Sequence, residues 1–112
     1  MAYATDYCGV KSGKEVDKFK EAKLTPQKSN VITAPGIAEC PVNIECKVTE
    51  VKELGSHAMF LAKVVSVQVD DSYIDENGKF HLNDTGLMTY SHGVYRELGE
   101  EIGTFGYSVK KK

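Results

Sequence analysis

Val42-Asn43-Ile44-Glu45-Cys46-Lys47-Val48-Thr49, then Val51, then Ala58-Met59-Phe60-Leu61-Ala62-Lys63-Val64-Val65-Ser66-Val67-Gln68-Val69, is the stretch that decides the fold. Val42, Ile44, Cys46 and Val48 alternate with Asn43, Glu45, Lys47 and Thr49, which is the period of a strand with one face buried and the other in water. Val51 arrives one residue out of phase, so a bulge is expected near Thr49-Glu50. A second strand is expected from about His57 to Asp70. It is apolar on both faces over 58–62, after which Val65, Val67 and Val69 alternate with Ser66, Gln68 and Asp70. Leu54-Gly55-Ser56-His57 is short enough to join the two as a hairpin.

Outward from this hairpin the signals are shorter. Asn77-Gly78 marks a tight turn, because both residues tolerate the positive φ that such a turn needs. Leu87-Met88-Thr89-Tyr90 reads as a short strand before a tail punctuated by Gly93, Gly99, Gly103 and Gly106. On the other side, residues 27–41 hold two prolines and a glycine and read as a loop with a short strand at Val31-Ile32. Met1 to about Gly13 suits a brief helix closing near Cys8-Gly9. Ser12-Gly13-Lys14-Glu15 has the form of a capping box, in which Ser12 accepts from an orphan backbone donor and Glu15 reaches back. Val16, Phe19 and Ala22 follow at helical spacing, and Thr25-Pro26 ends the helix. The expected architecture is mainly β with short helices, a small barrel-like or strongly curved sheet forming a single domain over residues 1–112.

Composition narrows the function. The 112 residues carry 14 Lys+Arg and 16 Asp+Glu, a net charge of −2. The charges are evenly spread, with eight basic and eight acidic side chains over residues 1–56 and six and eight over 57–112. That balance gives no basic face for nucleic acid, and the one basic cluster, Lys110-Lys111-Lys112, reads as a solvated terminus. The hairpin offers only Lys47, Lys52 and Lys63 as cations and Phe60 as an aromatic, too little for a nucleic-acid platform. No run of eighteen apolar residues suggests a membrane span, and the N-terminus lacks the pattern of a signal peptide. A soluble, cytoplasmic protein is expected, with Cys8, Cys40 and Cys46 as reduced thiols and Cys46 facing a core.

Read by themselves, the chemistry-bearing residues decide little. Gly9-Val10-Lys11-Ser12-Gly13 lacks the spacing and the preceding strand of a phosphate loop. Ser12 could cap a helix or, with the first backbone donors of that helix, hold an anion. His57, His81, His92 and the three cysteines form no pair with metal-ligand spacing, so no metal is expected. Cys8, beside Gly9 and near Lys11, has no partner histidine in sequence and reads as an ordinary small side chain. His57 sits where a tight connection enters the most apolar strand, a position that could present an imidazole at a barrel rim.

A resemblance adds more. Asp6-Tyr7-Cys8-Gly9-Val10-Lys11-Ser12-Gly13, Asp17-Lys18-Phe19, Leu24-Thr25-Pro26, Ala34-Pro35, Glu45-Cys46-Lys47 and Glu53-Leu54-Gly55-Ser56-His57 are similar, in that order, to blocks of the flavin reductase-like family, in its flavoredoxin-type branch. The similarity continues through Tyr90-Ser91-His92-Gly93-Val94-Tyr95 to Phe105-Gly106-Tyr107-Ser108. It implies part of an FMN-binding split β-barrel, usually a homodimer, that passes electrons from a reduced nicotinamide, NAD(P)H, or from a protein donor to flavin. Gly55-Ser56-His57 stands where the family has Gly-Asp-His, so the resemblance gives His57 a catalytic position near flavin and nicotinamide, with Gly55 and Ser56 beside the cofactor. Ser12, Gly13 and Lys18 fall in the block that packs against the cofactor in relatives.

The resemblance also implies that several N-terminal strands of the family domain precede the Asp-Tyr-Cys-Gly block, so this chain corresponds to the C-terminal three-fifths of that domain. A sheet without its neighbours exposes strand edges and apolar side chains such as those at 58–62, and a homo-oligomer, a dimer at the simplest, is therefore expected. Two functions follow. The first is a flavoredoxin-type oxidoreductase with an electron-transfer partner, in which FMN carries the redox chemistry. The alternative is a truncated, non-catalytic β-barrel relative that acts as an oligomeric binding or structural protein.

Overall fold

The computed structural model describes residues 1–111, so Lys112 of the basic tail lies outside the described residues. Helix α1 spans Ala2–Val10, as the Gly9 stop signal implied. The next helix, α2, is a single turn, Lys18–Glu21. It starts later than the capping box suggested. Its N-cap is Asp17, which accepts from the Lys20 amide, whereas Ser12 accepts from the Lys14 amide in a separate turn. The carboxylate wins because a charged acceptor suits the positive end of a helix better than a hydroxyl.

Short strands β1, Pro26–Gln27, and β2, Gly36–Ile37, pair antiparallel across the loop. Val31-Ile32 is not a strand. The amides of both residues donate instead to the Glu45 carboxylate, and so do not join a ladder. Strands β3, Val42–Glu53, and β4, Ala58–Val69, form the expected long antiparallel hairpin, closed by the Leu54 amide on the His57 carbonyl at 2.8 Å. Its register shifts twice. One shift, between Val48 and Glu50, is the expected bulge, and the other lies between Glu45 and Cys46, where Ser66 and Val64 are the facing partners.

The bulges keep the apolar residues in phase. Residues paired directly across a ladder project to the same side. Val42 and Val69, Ile44 and Val67, Cys46 and Val64, Val48 and Ala62, and Val51 and Phe60 are such pairs, so one face of the hairpin is apolar along nearly its whole length. Without the extra residue at Thr49, Val51 would turn to the polar face.

That apolar face is open, contrary to the expectation that Val42, Ile44, Cys46 and Val48 face a core. Ile44 is 60% exposed, Val48 57% and Phe60 63%, while Val42 and Cys46 are only partly covered. The covered face is the polar one. The segment between β1 and β2 folds over it, and Glu45, expected in water, is 2% exposed. The reversal arises because the segment between β1 and β2 lies on the hairpin with the Asn30, Val31 and Ile32 amides turned toward it, and these need an acceptor rather than an oily surface.

Beyond β4 the chain makes a 3₁₀ turn at Asp71–Tyr73, the expected Asn77-Gly78 turn with Gly78 at φ 81°, and a second 3₁₀ turn at Leu82–Asp84. Strand β5, Met88–Ser91, then pairs with β6, Val94–Glu97. Strand β6 is not among the expected elements. His92 at φ 49° and Gly93 at φ 82° both adopt the left-handed conformation of a two-residue hairpin turn. The Tyr95 hydroxyl donates to Asp6 at 3.1 Å, tying this hairpin to α1.

Three two-stranded sheets result, with no closed barrel among the described residues. The radius of gyration is 17.5 Å, against about 13 Å for a compact chain of this length. Ala4 is the one buried apolar residue among those described.

Candidate functional site

The sequence places candidate site residues in two regions. The first is the connection between α1 and α2. Here the Lys18 ammonium donates to the Cys8 carbonyl at 2.6 Å, satisfying a C-terminal carbonyl of α1 that no helical amide reaches. A cation at that end also complements the helix dipole. Ser12 anchors the intervening turn, accepting from the amides of Lys14 on its hydroxyl and of Glu15 and Val16 on its carbonyl. Of the two readings of Ser12, the structure contradicts the helix cap, since Asp17 fills that position. Gly13 is exposed, and a Cβ added there would meet nothing within 4 Å.

The second region is the tip of the β3/β4 hairpin. Gly55 takes φ 91°, a conformation that a side chain would strain, and this lets the chain reverse. Ser56 Oγ lies 2.9 Å from His57 Nδ1. When the hydroxyl donates in that pair, the neutral imidazole carries its proton on Nε2, which is left as an outward donor. His57 is exposed and, among the described residues, Ser56 is its only side-chain hydrogen-bond partner.

These residues do not by themselves make a flavin cradle. Five clefts of the described residues, of about 170 to 580 Å³, are lined by residues other than Ser12, Gly13, Lys18, Gly55, Ser56 and His57. Open space around Gly13 and Gly55 leaves room for a ligand but supplies no opposite wall. The donor set is appropriate in type, an ammonium, hydroxyls and an imidazole. Its enclosure is lacking. Among the described residues, no three His, Cys, Asp or Glu side chains are arranged to hold a metal ion.

Two polar clusters escaped the sequence reading. Glu45 accepts from the amides of Asn30 at 2.9 Å, Val31 at 2.8 Å and Ile32 at 3.3 Å, and from Gln68 Nε2 at 2.8 Å. These donors, the Asn30 amide first and the Gln68 side chain next, hold its carboxyl at about 2. The Gln68 amide in turn accepts from Gln27, linking β1 to the same network. The one available signal was the uncharged amides Asn43 and Gln68 on the hairpin's polar side, which suit a covered surface better than an open one. The second cluster is Asp75, His81 and Asp84, beyond the hairpin. Cys8, Cys40 and Cys46 are free thiols, all partly buried, and burial pushes the Cys40 thiol up.

Comparison with known proteins fixes the context. The chain is similar, at 33% identity over 85 residues, to an uncharacterized protein of Archaeoglobus fulgidus, in a match that covers 76% of this chain and 47% of that one. Its fold superposes on the flavoredoxin of Desulfovibrio vulgaris with a TM-score of 0.83 and 28% identity, covering 96% of this chain and 58% of that one. Flavoredoxin from Methanosarcina acetivorans gives a TM-score of 0.78 at 29% identity, covering 96% and 57%. The chain spans about half the length of the curated relatives it matches. The model of the flavin reductase like domain matches residues 2–99. From α1 through β6, therefore, this chain belongs to the flavin reductase-like family, with the strands and short helices of a partial split barrel.

Proposed function

We propose that this polypeptide belongs to a flavin-dependent oxidoreductase of the flavoredoxin type, which binds FMN and passes electrons to it from reduced nicotinamide or from a protein donor. The observation that carries this reading is the family match over residues 2–99. The chain's own contribution is positional. Lys18 and Ser12 fix the α1–α2 connection, and the Gly55 turn leaves the His57 ring exposed, its Nε2 open to a ligand that arrives from outside the chain.

The missing enclosure implies that further polypeptide completes the site. We assign that role to a second copy of the chain, in a homodimer that covers the apolar hairpin face. Six side chains on that face, Ile44, Val48, Val51, Phe60, Val64 and Val67, are 46 to 63% exposed, and burying each is worth about 1 kcal/mol or more.

FMN titration by fluorescence quenching, with the oligomeric mass recorded on the same sample, tests both statements. Saturable quenching in the micromolar range by an oligomer supports the reading, and His57→Ala should then slow flavin reduction by about tenfold or more while leaving FMN affinity nearly intact. A second reading, a non-catalytic oligomeric relative, is favoured by the exposure of Gly13 and His57 and the open space at Gly13 and Gly55. A well-folded chain that takes up no FMN would withdraw the enzyme reading of this chain in favour of that alternative or of a domain completed by a partner.

A further inference from the structure

We propose that Asp75, His81 and Asp84 form a proton-dependent latch that holds the 3₁₀ turn Leu82–Asp84 against the Tyr73–His81 turn. One half of the latch is permanent. Asp75 Oδ1 accepts from the amides of Asn77 at 2.9 Å and Lys79 at 3.0 Å, and Oδ2 lies 2.8 Å from His81 Nε2. The backbone closes the same turn, with the Asp75 amide on the Lys79 carbonyl and the His81 amide on the Tyr73 carbonyl. These bonds, that of His81 foremost, hold the Asp75 carboxyl below its ordinary value.

The other half depends on the proton. His81 Nδ1 faces Asp84 Oδ2 at 4.0 Å. A neutral imidazole has a single N–H, and the Asp75 contact places it on Nε2. Nδ1 then turns a lone pair toward a carboxylate. Protonation converts that edge into a second donor, and the ring bridges two carboxylates. Ser72, Tyr73, Ile74, Asp75 and Asp84 line the cleft of about 290 Å³ around the ring. The two aspartates are its charged groups, Tyr73 is the remaining titratable one, and neither lysine nor arginine lines it. Lys79, whose amide shares the Asp75 carboxylate, is the cation of the same turn and does not line this cleft.

The Asp84 end is the more exposed one. Its side chain is 74% exposed, and the turn that carries it is held by the Asp84 amide on the His81 carbonyl and the Thr85 amide and hydroxyl on the Leu82 carbonyl. Loss of the proton should loosen this segment, which leads into β5, and leave the Asp75 turn closed.

Amide hydrogen exchange on the full chain, corrected for intrinsic rates and followed from about pH 5 to 8 where imidazoles titrate, tests the latch. Protection at Asp84 and Thr85 should fall about two- to fivefold as His81 deprotonates, the range set by an exposed ion pair. Asn77 and Lys79 should not change. His81→Gln retains a donor toward Asp75 but cannot titrate, and Asp84→Asn removes the responding carboxylate, so both should abolish the step. The proposal is overturned by an absent step in the wild type, by a step that survives in either variant, or by concurrent loss of protection at Asn77 and Lys79. FMN binding has no part in this measurement.

Discussion

The Gln68 side chain reaches diagonally across the β3/β4 ladder to Glu45, Nε2 to Oε2 at 2.8 Å, and fixes a carboxylate that three successive loop amides then surround. The relationship explains why the polar face is the covered one. A loop of 28–35 cannot lie on a sheet with its amides unpaired, and Glu45 offers two oxygens at the place where those amides converge. The loop also closes on itself, since the Ser29 hydroxyl donates to the Ala34 carbonyl at 2.6 Å.

Glu45→Gln should therefore release the loop. The substituted amide keeps one acceptor oxygen and turns an NH₂ toward backbone donors, which leaves at least one of them unpaired. Amide exchange at Asn30, Val31 and Ile32 should accelerate by about tenfold or more, as expected when a charged acceptor is lost. Gln68→Ala should give a smaller acceleration, because it removes one donor to Glu45 and spares the backbone bonds.

Acid should act through the same residue. The Glu45 carboxyl sits at about 2 in the folded chain, below its ordinary 4.5. A depressed folded value contributes stability that is complete above the unfolded value and is lost as pH falls toward the folded one. The urea midpoint should thus drop between about pH 4.5 and 2, and Glu45→Gln should flatten much of that slope. Asp70, Asp75 and Glu39, each also lowered by hydrogen bonds, should account for what slope remains.

The hairpin was legible because period-two alternation, a phase slip at Val51 and a four-residue connection are all local signals. Burial was not legible, because alternation tells which residues share a face and leaves open what covers it. Glu45 looked solvent-facing for that reason. The missed strand β6 has a different cause. Its turn places His92 in a left-handed conformation that Asn or Gly usually supplies, so the His92-Gly93 pair lacked the familiar turn composition. Among the site residues, chain order placed His57 and Gly55 at the hairpin tip correctly. The Lys18 contact with Cys8 joins two helices across ten residues and has no one-dimensional signature.

Lys18 can be assigned by a variant that separates structure from ligand binding. Lys18→Met keeps the aliphatic stem and removes the ammonium from the Cys8 carbonyl. Loss of a cation at a helix C-terminus should lower stability by about 0.5–1 kcal/mol, visible in thermal or urea unfolding. If FMN affinity falls in the same variant by more than its fraction unfolded requires, the ammonium also serves the cofactor. Unchanged affinity would confine it to the cap.

Phe60 tests the apolar face most directly. It pairs with Val51 beyond the Thr49 bulge and is 63% exposed in the single chain. If a second copy covers this face, Phe60→Lys buries an unpaired charge at the contact and removes an apolar side chain worth about 1.5–3 kcal/mol. The dimer constant should weaken by tenfold or more in sedimentation equilibrium. Lys63→Met is the matched control, because Lys63 pairs with Lys47 on the opposite, polar face. It should leave the mass unchanged. Equal dissociation in both variants would mean that general surface charge, rather than this face, governs association, and a monodisperse wild-type monomer would remove the second copy from the site altogether.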